Sequence, residues 1–361
     1  MLLPGNGADA KINTFPNADL LQTDAYDYDL PEEFIAQNPA DPRDSSRLLV
    51  LRRDVEGFEH RRFRDLTDLL RPEDLLVLND TRVLPARLYG RKDPGSARVE
   101  ILLLRSEGTS FRQWQALVRP AKRLHAGMRV ILGDGTALSV LDELDEGVRI
   151  VRFPEEIDVL KLLDAIGDVP LPPYITDSSA PKEAYQTIFA RETGSCAAPT
   201  ASLHFSETLL GAIRTKGIPI SWVTLHVGLG TFRPVSVADI RDHHMHSEFC
   251  LLPHDTVVAV RECRERGGRV IAAGTTVART LESFAEEDSL LEGTRDTSLF
   301  IYPGFRFRII DGLITNFHLP KSTLLMLVCA FGGYNRVMQA YREAVSMRYR
   351  FFSFGDAMIL L

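Results

Sequence analysis

Short apolar runs separated by polar turns open the patterned part of the chain. The segment Pro31 to Pro39 has a proline and two glutamates at its start and a proline at its end, which is typical of one short helix. The stretch SSRLLVLRRDVEGFEHRRF, at residues 45–63, places an Asp and Gly turn between two partly apolar runs and predicts a β-hairpin. Helical spacing follows up to Pro72, and the fully apolar run Leu75 to Leu78 then predicts a buried strand.

The pattern changes between Arg87 and about Phe153. Apolar and polar residues alternate there in ARLYGRK, ARVEILLLRSEG, SFRQWQALVRP, MRVILGDGTALSVLDE and GVRIVRF, with Gly or Asp turns between them. This rhythm indicates a small antiparallel β-barrel or sandwich. We therefore predict an inserted β-barrel domain at residues 85–153.

After Glu155, helical and strand-like stretches alternate, which is typical of an α/β fold. The predicted fold class is α/β, with a mixed-sheet α/β body and an inserted small antiparallel β-barrel domain. The body comprises residues 25–84 and 154–361. Residues 1–24 form an N-terminal extension that we expect to be flexible.

Composition and charge narrow the classes of function. The chain has 361 residues, of which 45% are hydrophobic and 25% charged, and this composition is typical of a soluble globular protein with a large core. The four cysteines are scattered without a CxxC pair, which argues against a disulfide scaffold and favours a reducing compartment. Met1 to Thr23 lacks the pattern of a secretory signal, and the longest apolar run, Leu324 to Phe331, is too short to span a bilayer. A net charge of −7 argues against a general nucleic-acid coat but permits a local cluster of basic residues.

Polar residues at the ends of apolar strands are the first candidates for a site, because ligands of open α/β sheets bind beyond the carboxyl ends of the strands. In LLVLNDTRVLPARL, Asn79 and Asp80 are either turn residues that bond their own backbone or the start of a site. In the functional interpretation, Arg82 binds a phosphate or a carboxylate, and Asp80 holds either Arg82 or a ligand hydroxyl.

A second candidate is GSCAAPTASLHF. Its small residues from Gly194 to Ala198 let a ligand approach the backbone closely, and Thr200 opens a helix near His204. The alternative is tight packing around a turn, with His204 on the surface of a helix.

Histidines cluster near a third strand end, in WVTLHVGLGTFRPV and HHMHSE. The GxG there lacks the spacing and the early position of a dinucleotide fingerprint, which excludes a Rossmann NAD site. His226 is either a core histidine or a site residue. His243, His244, His246 and Glu248 invite a metal site, but the histidine spacing converges only on a strand and no HExxH motif supports it. We favour acid–base chemistry by one imidazole, with Glu248 fixing a tautomer or binding a hydroxyl or an amine, and we expect no metal.

The segments RVIAAGTTVARTLES and GLITNFHLPKSTLLMLV share one design, a strand followed by polar residues and a helix. Thr275 and Thr276 precede a helix whose free N–H groups suit an anion, although either threonine can serve simply as an N-cap. In the other segment, Asn316 and His318 flank Phe317, whose ring is able to stack on a base.

Basic residues lie beside aromatic ones in ALVRPAKRLHAG and in MRYRFFSFGDAM. Arg119, Lys122 and Arg123 are close enough in sequence to form one phosphate-binding patch, although a run of charges is usually a solvated face. In a chain of net negative charge, such a patch allows a localised RNA footprint.

Several of these segments together resemble the signature blocks of one family. LVLNDTRVLPARL, ALVRPAKRL, VPLPPYI, GSCAAPTASLHF, VTLHVGLGTFRPV, MHSEF, AAGTTVARTLES and RYRFFSFGDAMIL are similar, in order and spacing, to blocks of the tRNA ribosyltransferase-isomerases of the queuosine pathway. The resemblance runs from about Tyr26 to the last residue. Cys196 and Ser202 depart from it, because the family more often has Val and Gly at those positions.

The resemblance implies a fold, a reaction and its partners. The family has an α/β body with an inserted β-barrel. It moves the ribosyl part of S-adenosylmethionine onto 7-aminomethyl-7-deazaguanine at the tRNA wobble position, which gives epoxyqueuosine and releases adenine and methionine. S-adenosylmethionine is then a co-substrate, tRNA is the macromolecular partner, and no metal or organic cofactor is expected. We expect a cytoplasmic monomer that does not associate with membranes.

Such a reaction needs a base for the acidic 5′ proton beside the sulfonium, an acid to help adenine leave and a neutral attacking amine. The resemblance and the residue types make the catalytic candidates His204, His226, His246, Glu248 and His318, with base and acid unassigned. The substrate-binding candidates are Asp80, Arg82, Arg119, Lys122, Ser195, Thr200, Phe205, Phe232, Thr275, Thr276, Asn316 and Phe317. Among them, the three phenylalanines are candidates for a sulfonium cage, and Arg82, Arg119 and Lys122 for contacts with tRNA phosphates.

Two other functions stay open. An RNA methyltransferase that uses the same sulfonium would produce S-adenosylhomocysteine. A catalytically silent tRNA-binding protein on the same scaffold would leave S-adenosylmethionine intact.

Overall fold

The computed structural model describes residues 18–108, 110–228, 235–287 and 289–361. The strands of these residues are β1 (Arg47–Leu51), β2 (Glu59–Arg62), β3 (Leu75–Asn79), β4 (Thr81–Val83), β5 (Arg87–Asp93), β6 (Arg98–Glu107), β7 (Gln113–Arg119), β8 (Arg129–Leu132), β9 (Ala137–Glu143), β10 (Val148–Arg152), β11 (Glu192–Ser195), β12 (Ile220–Leu225), β13 (Glu248–Leu252), β14 (Val270–Ala273), β15 (Ala285–Glu286), β16 (Ser289–Leu290), β17 (Gly293–Thr297), β18 (Gly312–Asn316) and β19 (Ala357–Leu360). The α-helices are α1 (Leu66–Leu69), α2 (Val159–Ile166), α3 (Glu207–Thr215), α4 (His254–Glu265), α5 (Thr275–Ser283), α6 (Thr323–Gly332) and α7 (Tyr334–Ser346).

Within the described residues, a nine-stranded mixed sheet forms the body, in the order β17-β13-β12-β3-β14-β18-β19-β1-β2. The four central strands β12, β3, β14 and β18 run parallel to one another, and β19 is parallel to β1 but antiparallel to β18. Strands from before and after the barrel therefore pair within one sheet. The predicted mixed-sheet α/β body, assembled from both ends of the chain, is confirmed.

Strand β3 shows why the centre of this sheet is so apolar. Leu75 and Val77 point into one hydrophobic cluster, whereas Leu76 and Leu78 point into another on the opposite face. Because side chains alternate along a strand, a strand covered on both faces must be apolar at every position. Helices α4 to α7 supply side chains to the first cluster and α3 supplies side chains to the second.

The two strands at the edges of the sheet have a different composition. β2 reads Glu-His-Arg-Arg and β17 reads Gly-Thr-Arg-Asp-Thr, and both alternate between exposed and partly buried positions over most of their length. Edge strands have one face of unpaired backbone groups, and charged residues are typical of such positions.

The inserted unit is a closed barrel in the order β10-β7-β6-β5-β8-β9. Every neighbouring pair of its strands is antiparallel. In β7 the buried residues Trp114, Ala116 and Val118 alternate with more exposed ones, as the alternating sequence requires. The small antiparallel β-barrel is thus confirmed, whereas the exact domain limits at residues 85 and 153 stay a prediction.

Near the N-terminus, the predicted hairpin forms, whereas the predicted helix is much shorter than expected. The hairpin β1–β2 forms as predicted, with Leu49 opposite His60. The helix expected between Pro31 and Pro39 is a single 3₁₀ turn at Glu32–Phe34. Of the N-terminal extension, residues 18–24 lie against the body through backbone hydrogen bonds such as Thr23 N to Ala238 O (2.8 Å), and residues 1–17 lie outside the described part.

The four cysteines are buried and form no disulfide. Within the described residues, no helix has the length and apolar character that a membrane crossing demands.

Candidate active site

The carboxyl ends of the four parallel strands meet at one edge of the sheet. His226 follows β12, Asp80 follows β3, Gly274 follows β14 and Phe317 follows β18. These strands are neighbours in the order β12-β3-β14-β18. The residues that follow these four strands therefore lie along the same edge of the sheet.

A cavity of about 380 Å³ lies where this edge faces the barrel, and we call it the interface cavity. Its wall on the body side includes His226, Gly228 and Glu248. Its remaining lining comes from both units: Leu104, Arg105, Ser106, Gly108, Phe111, Trp114, Thr193, Gly194, Val227, Ser247 and Phe249. An imidazole, a carboxylate and aromatic rings thus share one enclosure.

Glu248 begins β13 and is held from two sides at the wall of the interface cavity. Its Oε1 accepts a hydrogen bond from the Gly228 N–H at 2.9 Å, and its Oε2 pairs with Arg279 Nη1. Arg279 projects from α5 and also donates from Nε to the carbonyl of Leu299 at 3.1 Å. The side chains of Glu248 and Arg279 are only 5% and 4% exposed, so the carboxylate has a fixed position and a buried counter-charge.

His226 is held in one orientation by three neighbours. Its Nδ1 shares a hydrogen bond of 2.8 Å with Thr81 Oγ1, and its ring stacks on Phe249 at a centroid distance of 5.4 Å. Gly194 lies against the other side, because a Cβ added there would approach His226 Nε2 to 2.5 Å. Burial lowers the pKa of His226 to about 4, although the Glu192 carboxylate raises it, so the imidazole is neutral near pH 7.

Behind His226, the polar residues at the end of β3 join three elements. Asn79 Oδ1 accepts from the Leu225 N–H (3.2 Å), and Asn79 Nδ2 donates to Thr276 Oγ1 (3.2 Å). Asp80 accepts from Thr224 Oγ1 and pairs with Arg191 Nη2, both at 2.7 Å. The expectation that Asp80 holds Arg82 is wrong, because these two partners occupy its buried oxygens while Arg82 is exposed.

A second polar cluster surrounds Asn316 at the end of β18, and we call it the Asn316 cluster. Asn316 Nδ2 donates to His204 Nε2 at 3.2 Å, and His204 Nδ1 shares a 2.8 Å hydrogen bond with Ser46 Oγ. His318 Nε2 shares a hydrogen bond of 2.7 Å with Thr315 Oγ1. Burial lowers the pKa of His204 to about 4 and that of His318 to about 3. A cavity of about 40 Å³, close to the ~30 Å³ that one liquid water occupies, lies beside Asn316 and His318.

The two groups of candidate residues do not touch. β3 and β14 lie between β12 and β18, so three strand spacings separate the ends that carry His226 and Asn316. At about 4.8 Å for each spacing, the separation is about 14 Å. The predicted catalytic set is therefore divided, with His226 and Glu248 at the interface cavity and His204 and His318 in the Asn316 cluster.

Comparisons with known proteins agree with one another. A family model described as "Queuosine biosynthesis protein" matches residues 23–360. The chain belongs to this queuosine biosynthesis family. It is 53% identical over 338 residues to the S-adenosylmethionine:tRNA ribosyltransferase-isomerase of Pelotomaculum thermopropionicum, an alignment that covers 93% of this chain and 98% of the relative. The protein of the same name from Halothermothrix orenii is 52% identical, over 94% of this chain and 100% of the relative.

A solved structure of the queuosine biosynthesis family supports the fold. The crystal structure of S-adenosylmethionine tRNA ribosyltransferase from Thermotoga maritima is 41% identical and has a TM-score of 0.55, covering 93% of this chain and 100% of that chain. The resemblance of the sequence to this family and the predicted fold class are both confirmed.

Other residues that the family resemblance pointed to lie in varied surroundings. His246 is exposed and precedes β13, two residues before Glu248. Ser195 donates to the Ala197 carbonyl at 2.7 Å, and Thr200 borders the cavity beside Asn316. Thr275 is buried at the start of α5, next to Thr276. Arg119 and Lys122 are exposed on the barrel.

Two of the phenylalanines proposed for a sulfonium cage, Phe205 and Phe317, lie in separate hydrophobic clusters. Phe205 is fully buried and packs edge-on against Phe63, in the cluster on the α3 side of the sheet. Phe317 is also fully buried, among Tyr341, Tyr349 and Phe351. Both rings are shielded from solvent by core side chains, and within the described residues only Phe317 of the two borders a cavity, which holds about 40 Å³, so this burial argues against a cage role for either residue. Phe232 lies outside the described residues.

Several residues that line or support the interface cavity carry no signal in the sequence pattern. Phe249, Phe111 and Trp114 line the interface cavity, and Arg279 pairs with Glu248. Phe249 is the last residue of the segment MHSEF. An alternating strand pattern does not reveal which aromatic residue faces a cavity. Within the described ranges, no three His, Cys, Asp or Glu side chains are grouped so that they would hold a metal ion.

Proposed function

We propose that this chain is an S-adenosylmethionine:tRNA ribosyltransferase-isomerase. Its substrates would be S-adenosylmethionine and tRNA that carries 7-aminomethyl-7-deazaguanine at the wobble position, and its products epoxyqueuosine-tRNA, adenine and methionine. The observation that carries the proposal is the interface cavity, in which a neutral imidazole, a fixed carboxylate and aromatic rings meet. Family membership agrees with it.

His226 is our first choice for the base that removes the acidic 5′ proton beside the sulfonium. Its imidazole is neutral near pH 7 and therefore has an unprotonated nitrogen, and the Thr81 hydroxyl fixes the direction of the ring. After removing the proton, His226 would be in its protonated form only until the proton is passed on. The ring of Phe249 and the barrel residue Trp114 offer aromatic surfaces to the sulfonium or to a base.

Glu248 suits a binding and orienting role. Its oxygens lie at the cavity wall in a fixed position, so a ligand N–H or hydroxyl that reaches the cavity meets a pre-positioned acceptor. The 7-aminomethyl group of the modified base and the ribose hydroxyls of the co-substrate have the donors that this carboxylate accepts.

The Asn316 cluster suits ground-state binding better than proton transfer. Both ring nitrogens of His204 are engaged by protein groups, so neither is free to take a proton from a ligand. Asn316 Oδ1 is buried without a hydrogen-bond partner among the described residues and offers an acceptor to a ligand or an ordered water. We infer that the Asn316 cluster contributes to substrate binding. We expect the enzyme to need no metal or organic cofactor.

The decisive experiment incubates the purified protein with radiolabelled S-adenosylmethionine and tRNA that bears the 7-aminomethyl-7-deazaguanine base. Free adenine, free methionine and a modified nucleoside are expected. S-adenosylhomocysteine among the products would instead identify a methyltransferase, and intact S-adenosylmethionine with bound tRNA would identify a silent binding protein.

Substituting the catalytic candidates then separates their roles. His226→Ala is expected to lower kcat by about 10²-fold or more if His226 transfers the proton. His246→Ala replaces an exposed imidazole close to the same cavity. Its kcat is compared with that of His226→Ala. A loss below about threefold for His226→Ala would remove this residue from the proton-transfer step.

Compartment and oligomeric state complete the proposal. Four buried cysteines without a disulfide suit a reducing cytoplasm, and we propose that the enzyme acts there as a monomer. Light scattering at assay concentration tests the oligomeric state.

A further inference from the structure

A second cavity lies where the barrel meets the returning chain, and the proposed function gives it no role. It has a volume of about 230 Å³, and we call it the proline-lined cavity. Barrel strands β5, β6 and β7 form one wall, and the segment 170–173, with the sequence Pro-Leu-Pro-Pro, forms the other. The volume is roughly eight times that of a single liquid water, so one or two ordered waters do not fill it.

The chemistry of the proline-lined cavity is divided between flat apolar walls and a charged end. Leu102, Leu117 and the segment 170–173 provide the apolar surface. Arg87 and Glu100 lie side by side, with Arg87 Nε 3.4 Å from Glu100 Oε1. This buried N–H makes no hydrogen bond within the described residues, despite the ion-pair distance. Donors and an acceptor therefore lie next to each other at the edge of an apolar slot.

A neighbouring guanidinium adds the means to bind a phosphate. Arg119 lines the same cavity from the end of β7 and is exposed to solvent. Lys122 and Arg123 follow it in an exposed 3₁₀ turn. Arg residues bind phosphate oxygens in a bidentate manner, and Lys residues add charge.

The charge of the whole barrel points to a polyanion. Residues 85–153 contain twelve Lys and Arg against eight Asp and Glu, a net charge of +4, in a chain whose net charge is −7. Positive charge is thus concentrated on the unit that bears this cavity. Such concentration attracts nucleic acid to one part of a chain that is acidic overall.

The proline-lined cavity lies near the interface cavity, because the same strand and the same segment contribute residues to both. β6 contributes Glu100 and Leu102 to the first and Leu104 to Ser106 to the second. Similarly, Cys196 lines the first cavity and Gly194 the second. Four residues of a strand span about 13 Å, a distance that a few nucleotides of single-stranded RNA cover.

We propose that the proline-lined cavity binds a splayed-out base of the tRNA strand, a neighbour of the nucleotide that enters the interface cavity. The base packs between the leucines and the proline-rich segment, Arg87 and Glu100 bind its polar edge, and Arg119 binds a flanking phosphate. Single-stranded loops are recognised by proteins in this manner, through unstacked bases held by their edges and faces. The inference rests on the proposed function, because it takes the substrate to be tRNA.

Binding of RNA without catalysis tests this inference on its own. The probe is a fluorescently labelled anticodon stem-loop RNA with an ordinary guanine at the wobble position, titrated with full-length protein in the absence of S-adenosylmethionine. Arg87→Ala is expected to raise the Kd about tenfold or more, as the loss of a base-edge contact does. Arg91→Ala removes the same charge from an exposed position of the same strand, outside the cavity, and is expected to change the Kd less than about threefold.

A second variant keeps the charge and fills the space. Leu117→Trp places a larger ring in the cavity from its barrel wall and is also expected to raise the Kd about tenfold, without changing the salt dependence of binding. Far-UV circular dichroism and the midpoint of thermal unfolding check that each variant folds. A Kd within about threefold of the unsubstituted protein for both Arg87→Ala and Leu117→Trp would overturn the proposal.

Steady-state kinetics separate a failure of this inference from a failure of the proposed function. Release of adenine by the unsubstituted protein tests the function alone. In the variants, the KM for tRNA is expected to rise about tenfold while the KM for S-adenosylmethionine stays within about twofold. A rise in the KM for S-adenosylmethionine alone would assign the cavity to the co-substrate and overturn the inference.

Discussion

The buried pair of Glu248 and Arg279 provides a quantitative test of the site's architecture. Glu248→Gln keeps the shape of the side chain and the acceptor for the Gly228 N–H, but leaves the Arg279 guanidinium without its counter-charge. Arg279→Met keeps most of the volume and leaves the carboxylate buried instead. Because both side chains are at most 5% exposed, bulk water screens the remaining charge only weakly.

The expected magnitude follows from that burial. Removing one partner of a buried ion pair costs about 3–5 kcal/mol, since an uncompensated charge remains inside the protein. The double variant has no such charge, so its loss is expected to be smaller than the sum of the single losses by at least about 1 kcal/mol. Glu59→Gln is the matched control, because Glu59 pairs with Arg52 at the surface and is 41% exposed, where such pairs contribute about 0–1 kcal/mol.

Urea unfolding measures these free energies, provided that the fluorescence signal comes from the α/β body, which contains Glu248 and Arg279. The chain has two tryptophans, Trp114 in the barrel and Trp222 on β12, next to the strand that carries Glu248. In a Trp114→Phe background, the fluorescence of Trp222 follows the body alone. A loss below about 1 kcal/mol for Glu248→Gln, or a double variant whose loss equals the sum of the single losses, would refute the reasoning.

Three further outcomes are expected. Gly194→Ala should displace the His226 ring, because the added Cβ would lie 2.5 Å from Nε2, and a crystal structure together with a lowered kcat checks this. Thr81→Val removes the hydroxyl that fixes His226 and should lower kcat about tenfold without changing the KM for tRNA; an unchanged kcat would mean that this hydrogen bond has no positioning role. Burial holds the folded-state pKa of His318 at about 3, below the unfolded value of about 6.5, so its stabilising contribution is present above pH 6.5 and is lost as the pH falls towards 3. Between pH 6.5 and 5 the free energy of unfolding should fall by up to about 1.4 kcal/mol per pH unit from this residue, and in urea titrations His318→Gln should show a shallower pH dependence than the unsubstituted protein.

The fold could be predicted from the sequence because its patterns are strong and local. Apolar runs such as Leu75–Leu78 and alternating runs such as Gln113–Arg119 determine the faces that each strand buries, and Gly or Asp turns mark where strands end. The same patterns mark the carboxyl ends of the strands, where His226 and Asn316 lie, although they do not show that these two residues belong to separate clusters.

The composition of the cavity could not be predicted in the same way, because it depends on contacts between distant segments. The order of strands places β3 and β14 between His226 and Asn316, and nothing in the local sequence gives that order. Trp114 has the pattern of an inward barrel residue and reaches the interface cavity only because the barrel docks beside β11. Arg279 has the pattern of an ordinary helix residue, and its role depends on the packing of α5 against β13.

The charged edge strands of the body have a consequence for the protein in a crowded cell. A long sheet with open sides is a template on which another polypeptide can add a strand, the first step of aggregation. β2 and β17 place Arg, Glu and Asp side chains along those open sides, and a neighbouring chain would have to desolvate these charges in order to pair. Edge-to-edge pairing with another molecule is therefore unfavourable, and overproduction should yield dispersed molecules rather than fibrils.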